Sequence, residues 1–226
     1  MPHPNPPTHI AIILFPGFQL LDVAGPLDVL NILSTSQPLT LSILSSTLSP
    51  VSTAHNINSP HPDSKFAESI VPTHTFDNPP PGIEVLIVPG GLGTRVESEM
   101  EGVIGFLKRM DRDGGVRWWL TVCTGSAVLA RAGVLDGRRA TSNKKAFAWV
   151  KQQSPHVHWV SKARWVVDRN IWTSSGISAG MDLIYAWVGD VWGEEVAGLI
   201  ADGSEYERNT DSTRDRFAER WGVAKL

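Results

Sequence analysis

Three short apolar runs in this chain end in the same way, and that repetition narrows the folds open to it. His9-Ile10-Ala11-Ile12-Ile13-Leu14-Phe15, Ile83-Glu84-Val85-Leu86-Ile87-Val88 and Arg117-Trp118-Trp119-Leu120-Thr121-Val122 each run straight into small turn residues. The breaks are Pro16-Gly17, Pro89-Gly90-Gly91 and Cys123-Thr124-Gly125, and a helix-prone segment comes after each. Continuous apolar runs mark strands buried on both faces, as parallel sheets require. Strands alternating with helices predict an α/β chain whose mostly parallel sheet is covered on both sides. The 226 residues suffice for one such domain. With neither internal repeat nor linker in view, residues 9–226 are expected to form it, and the proline-rich residues 1–8 to be a disordered tail.

The remaining elements follow the same pattern. Gln19 to Leu33 predicts an amphipathic helix that Gly25-Pro26 disturbs near its start. Leu39 to Ser45 alternates and predicts a second strand. Residues 46–82, rich in Ser, Pro, Thr, His and Asn, predict loops and short strands, the best of them at Val71 to Phe76. Helices are expected over Glu99–Met110, Lys144–Gln152, Met181–Trp192 and Glu194–Ala201. Val157–Val160, Ala163–Val167 and Ile171–Ser174 read as strands.

Composition excludes several roles. A net charge of −3 with no long basic run offers no electrostatic footprint for nucleic acid or an anionic membrane. One cysteine excludes an intrachain disulfide framework and a cysteine-based zinc cluster. No metal or cofactor is expected. The N-terminus lacks a signal-peptide pattern and no stretch is apolar for long enough to span a bilayer, so the expected location is cytoplasmic. Nine tryptophans must mostly pack in a core or at an interface.

The sole cysteine stands at a strand-to-helix corner, the layout of a nucleophile elbow. There it would sit at the positive end of a helix dipole, which favours thiolate. The plainer alternative is a small buried cysteine filling space. Ligands bind beyond the carboxyl ends of the strands in an open parallel sheet, so the turns at 15–22, 89–94 and 123–126 should converge. Gly90 and Gly91 either permit a tight turn or aim backbone N–H groups at a developing negative charge. Thr124, next to the cysteine, is placed to give a second such donor. Asp22 is either a helix-start carboxylate or the proton-handling partner of Cys123, with a pKa raised by a neighbouring thiolate. Asp28 is expected to face solvent.

The segments Phe15-Pro16-Gly17-Phe18, Leu21-Asp22-Val23-Ala24-Gly25-Pro26, Val88-Pro89-Gly90-Gly91, Val122-Cys123-Thr124-Gly125-Ser126 and Gly176-Ile177-Ser178-Ala179-Gly180-Met181-Asp182 together resemble the PfpI/ThiJ-like branch of the class I glutamine amidotransferase superfamily. The resemblance covers about His9 to Ile200. Asp in the first-helix motif combined with Cys-Thr-Gly resembles the isonitrile hydratases, whereas protease-like and glyoxalase-like relatives typically carry Glu there. The resemblance implies a flavodoxin-like three-layer α/β/α sandwich, usually a homodimer acting on a small molecule. It implies hydration of an isonitrile to an N-substituted formamide, with Cys123 as nucleophile, Asp22 as acid/base, and Thr124 and Gly91 around them. Many relatives place a histidine shortly after the elbow helix, where this chain reads Ala140-Thr141-Ser142-Asn143-Lys144-Lys145. Triad chemistry is therefore not expected, since Asn143 cannot act as a base. Of the chain's histidines, His74 and His158 are the candidates to approach the site. Trp149, Trp165, Trp172 and the 46–82 region are candidates for the pocket mouth. Some related regulators add helix-turn-helix units after such a domain. The chain ends at Leu226 before one, so direct DNA binding is not expected. The alternatives to a lyase are glyoxalase-like chemistry on another small metabolite, or a thiol redox sensor without turnover.

Overall fold

A computed structural model describes residues 2–55 and 63–225 of the chain. In order, the elements are β1 (His9–Ile13), α1 (Leu20–Leu33), β2 (Thr40–Ser45), β3 (Val51–Ser52), β4 (Ser69–Ile70), β5 (His74–Thr75) and β6 (Val85–Val88). After a short 3-10 turn at Leu92–Arg95 come α2 (Glu97–Asp113), β7 (Trp118–Thr121), α3 (Gly125–Arg131), β8 (Arg139–Ala140) and α4 (Phe147–Gln153). The chain closes with β9 (His158–Trp159), β10 (Trp165–Asp168), β11 (Ile171–Ser174), α5 (Ala179–Trp192), α6 (Glu194–Gly203) and α7 (Phe217–Arg220).

Seven strands form one sheet in the order β10-β11-β7-β6-β1-β2-β5. Every neighbouring pair is parallel except β10 and β11. This is the expected flavodoxin-like α/β architecture. All four residues of β6 and of β7 are buried, as their unbroken apolar sequence requires of strands with helices over both faces. Helix α2 carries the clearer amphipathic pattern: Met100, Val103, Phe106 and Leu107 face the core at helical spacing while its acids and bases face out. Its C-cap, Gly114, takes the left-handed conformation that ends helices.

Two expectations are corrected, and a third is narrowed. Helix α1 runs unbroken through Pro26. It is held there by burial of Val23, Gly25, Pro26 and Val29 and by close approach to α5, where a Cβ on Gly25 would lie 2.5 Å from Met181 Sδ. The N-terminal segment is not a loose tail. His3 N–H donates to Val191 O at 2.8 Å, the His3 ring meets Trp118 edge-on, and Arg117 bridges Asn5 O and Glu84. Prolines give such a segment little entropy to lose on docking, and these partners hold it. In the 46–82 region, Val71–Phe76 contributes only the two-residue β5, and β3 pairs antiparallel with β4. Residues 56–62 of that reading lie outside the described residues. Among the described residues no helix is long and apolar enough to cross a membrane.

The strand order decides where a site can be. β1 lies between β2 and β6, and the chain leaves β1 for one side first and returns to the other, so the carboxyl ends of β1 and β6 flank a topological switch point. β7, next to β6, places Cys123 beside it.

Candidate active site

Cys123 follows the end of β7 by two residues, and α3 starts two residues later. Its φ is 57°, the left-handed region that non-glycine residues enter at a cost of about 1 kcal/mol or more. The elbow is held in that state from both sides: Val122 N–H donates to Val88 O at 3.0 Å and Cys123 N–H donates to Ser175 O at 3.1 Å. The side chain therefore rises at the carboxyl edge of the sheet, 6% exposed, into a cavity of about 340 Å³.

The Pro-Gly-Gly turn after β6 fits against this corner with no room for side chains. A Cβ on Gly90 would lie 2.6 Å from Thr124 N and 2.9 Å from Cys123 Cβ. Gly91, at φ 136°, would push a Cβ to 2.6 Å from Gln19 N. The loop's N–H groups do not face the cavity as free donors, contrary to the oxyanion role open to Gly90 and Gly91 in the sequence. Gly90 N–H donates to Asp22 Oδ2 at 2.9 Å, and Gly91 N–H donates to Thr124 Oγ1 at 3.1 Å. Thr94 Oγ1 donates to Gly91 O at 2.7 Å and so ties the turn down further. The two glycines thus position an acid and a threonine.

Asp22 sits in the first turn of α1 and is fully buried. One carboxylate oxygen has the Gly90 N–H; the other, Oδ1, has no hydrogen-bond partner. Burial raises its pKa from 3.8 to about 7, against the opposing pull of the Gly90 hydrogen bond. The Cys123 thiol is pushed up to about 12, by burial first and by the Asp22 charge second. This reverses the expected preference for thiolate: a seven-residue α3 behind the sulfur does not offset desolvation and a neighbouring carboxylate. Near neutral pH the resting pair is a thiol beside a carboxyl group poised to give or take a proton.

Three groups favour the charged sulfur. Asn143 Nδ2 donates to Sγ at 3.2 Å, and the backbone N–H groups of Ile177 and Thr124 point to it as well. Asn143 Oδ1 meanwhile accepts from Ala146 N–H at 3.0 Å, so the amide orientation follows from the start of α4. Ile177 has φ 43°, a second strained non-glycine residue opposite the first. Its role escaped the sequence reading: the Ser175-Gly176-Ile177 turn precedes α5, 54 residues beyond the cysteine. The sequence offered a Ser-Gly turn directly after a strand at 171–174; that β11 and β7 are parallel neighbours, so their following turns meet, comes from the sheet order. His74 lies in β5 at the sheet edge and His158 is exposed in β9, and neither lines the cavity. Trp165 and Trp172 are buried in the sheet, while Trp149 reaches the mouth indirectly, through Arg95 stacked 4.7 Å from its ring centre. Asp28 is exposed.

The DJ-1/PfpI family model matches residues 8–189. Isonitrile hydratase of Pseudomonas putida is 32% identical over 199 residues, covering 87% of this chain and 78% of that protein. The HTH-type transcriptional regulator GbdR of Pseudomonas aeruginosa is 37% identical over 139 residues, 62% of this chain but only 36% of the regulator. Among solved structures, a ThiJ/PfpI family protein from Pseudomonas syringae superposes with a TM-score of 0.72 at 26% identity, covering 99% of this chain and 91% of that one.

Proposed function

This chain belongs to the DJ-1/PfpI family, and from that premise and the geometry around Cys123 we propose that it is an isonitrile hydratase-like lyase. It adds water to an isonitrile and releases an N-substituted formamide. The observation that carries the reading is a buried thiol within the electrostatic reach of a buried, half-partnered Asp22, with an amide in place of an imidazole at the sulfur. Such a site lacks the base of an acyl-transfer triad but holds what addition across a terminal carbon needs.

In the first half-reaction Asp22 Oδ1 takes the thiol proton and Sγ bonds to the isonitrile carbon. The same proton passes from Asp22 to that carbon, giving a thioformimidate on Cys123. Asn143 and the Ile177 and Thr124 N–H groups stabilise the sulfur while it carries charge. In the second half-reaction Asp22 takes a proton from water as the water oxygen attacks the imidate carbon, and passes that proton to the nitrogen, leaving the hydroxyl proton for the sulfur. The tetrahedral adduct then breaks its C–S bond, and the sulfur recovers a proton through Asp22. The sum is one water added to one isonitrile, with no redox change. Near pH 7 a carboxyl group of pKa about 7 serves both directions of transfer.

The test is formamide production from an isonitrile by the wild type, Cys123→Ala and Asp22→Asn, followed by chromatography. Turnover by the wild type and its loss in both variants is expected; retained turnover in either variant rejects the mechanism. The redox-sensor alternative draws no support from a cysteine that is 6% exposed and whose thiol is raised, since oxidation favours exposed thiolates. A homodimer working on a small molecule without nucleic acid belongs to the same proposal and is checked by light scattering.

A further inference from the structure

The cavity over Cys123 carries a charge that the proposed chemistry leaves unused. Its wall includes two cations, Arg95 and Lys145, and no carboxylate. The Arg95 guanidinium lies over the Trp149 ring, 4.7 Å from its centre, and the Lys145 ammonium lies 5.4 Å from the centre of the Trp221 ring. Among the described residues neither cation is in an ion pair, although Arg117, Arg131, Arg138, Arg164 and Arg208 each have one. An adjoining cleft of about 260 Å³ shares Asn143, Lys145 and Ile177, adds Lys144, and is also free of carboxylates. Asp22 is the acid whose charge reaches the thiol, and it lies off the cavity wall. On a chain of net charge −3, this is a local positive opening. Aromatic rings hold both cations in place without neutralising them, so each keeps its donors for a ligand.

We infer that the substrate carries a carboxylate, held by Arg95 and Lys145 while its reactive carbon meets Cys123. With the isonitrile reading above, on which this part rests, the substrate class is a short isocyano carboxylate. A carboxylate fits better than a phosphate. Phosphate sites are built from free backbone N–H groups, and here those of Gly90 and Gly91 are already spent on Asp22 and Thr124. The planar fork of Arg95 matches a carboxylate edge directly.

Two experiments test the inference, one of them independent of isonitrile chemistry. Cys123 is the sole cysteine, so intact mass reads its alkylation alone. Iodoacetate and iodoacetamide form the same S–C bond with loss of iodide and differ chiefly in charge, and the thiol's ionisation affects both equally. Relative to glutathione, the iodoacetate-to-iodoacetamide rate ratio is expected to be raised about tenfold. It should fall about tenfold in Arg95→Met, a few-fold in Lys145→Met, which is exposed, and least in Arg95→Lys. A ratio equal to that of glutathione, or unchanged in the Met variants, overturns the proposal. The second experiment compares kcat/KM for 4-isocyanobutanoate and its methyl ester. The acid is expected to lead by about tenfold, with Arg95→Met closing the gap through KM. Equal turnover of acid and ester overturns the inference and leaves isonitrile hydration standing. A raised alkylation ratio with neither compound turned over keeps the carboxylate site and removes the isonitrile reading.

Discussion

Two aspartates are buried in the first turns of two helices that pack together, and their surroundings could hardly differ more. Asp182, in α5, has every oxygen occupied. Arg164 reaches Oδ2 at 2.5 Å, while Tyr206 Oη and Asn209 N–H donate to Oδ1 at 3.0 and 2.8 Å. Burial first, and the Asp182 carboxylate beside it second, push the Tyr206 phenol well above its ordinary range. Asp22, in α1, has one backbone N–H and an orphaned oxygen. The difference separates two uses of a buried acid. One is a clamp, tying the C-terminal segment to the loop before β10; the other is left short of partners so that a proton can come and go.

The largest expected effect is on turnover. Asp22 must be ionised to take the thiol proton, so kcat/KM should rise tenfold per pH unit up to about 7 and then level off. Asp22→Asn should lower it by about 10³-fold and flatten the profile; a wild-type profile flat from pH 5 to 8 contradicts the assignment. Stability comes next. Because the folded state binds the Asp22 proton more tightly than the unfolded chain does, the Asp22 contribution to wild-type stability is most favourable below about pH 4. It falls as pH rises toward 7 and is constant above that. The shift from 3.8 to about 7 corresponds to roughly 4 kcal/mol at full ionisation. Asp22→Asn, which keeps an acceptor for Gly90, should therefore melt higher than the wild type at pH 8 and nearly with it at pH 4. An equal difference at both values sinks the account.

This contrast also marks what the residues alone could tell. The strands, the corner at Cys123 and the helix-start position of Asp22 were legible because each rests on local pattern: apolar continuity, small turn residues, a helix-prone run. Their convergence was legible because a parallel sheet puts all three turns at one edge. The ionisation of the thiol was not, since it depends on how completely distant segments exclude water from Sγ. Nor were the N–H commitments of Gly90 and Gly91, which need the partner atoms in place. Asp182 gave no sign of its clamp because Arg164 and Tyr206 meet it from 18 residues before and 24 after. The N-terminal prolines misled for the same reason: their composition matches a loose tail, and what holds the segment down is distant in sequence, Val191, Trp118, Arg117 and Glu84 among it.

Breaking the clamp should leave chemistry and stability affected in the opposite proportion. Asp182→Asn strands Arg164 in a partly buried setting, with an expected loss of about 3 kcal/mol, read by urea unfolding. It should leave the pH at which kcat/KM levels off near 7, because Asp22 and its surroundings are untouched. A shift of that inflection by a full pH unit would mean the two aspartates are coupled and the comparison is false.

The smallest effect sharpens the other side. Asn143→Ala removes one charge-assisted donor from Cys123 Sγ at 3.2 Å and leaves the Ile177 and Thr124 N–H groups in place. A single such bond is worth about 1.5 kcal/mol, so kcat/KM should drop about tenfold. The loss should fall on thiolate formation, and the rate of Cys123 alkylation by iodoacetamide should therefore decline in parallel. Asn143 also accepts the Ala146 N–H, so the variant loses up to about 1 kcal/mol of stability as well. Asn143→Ser restores an acceptor of that kind without reaching the sulfur. If Asn143→Ser recovers stability but not alkylation rate, the amide acts on the thiol; if both recover together, Asn143 serves the fold of α4 and the sulfur relies on backbone alone.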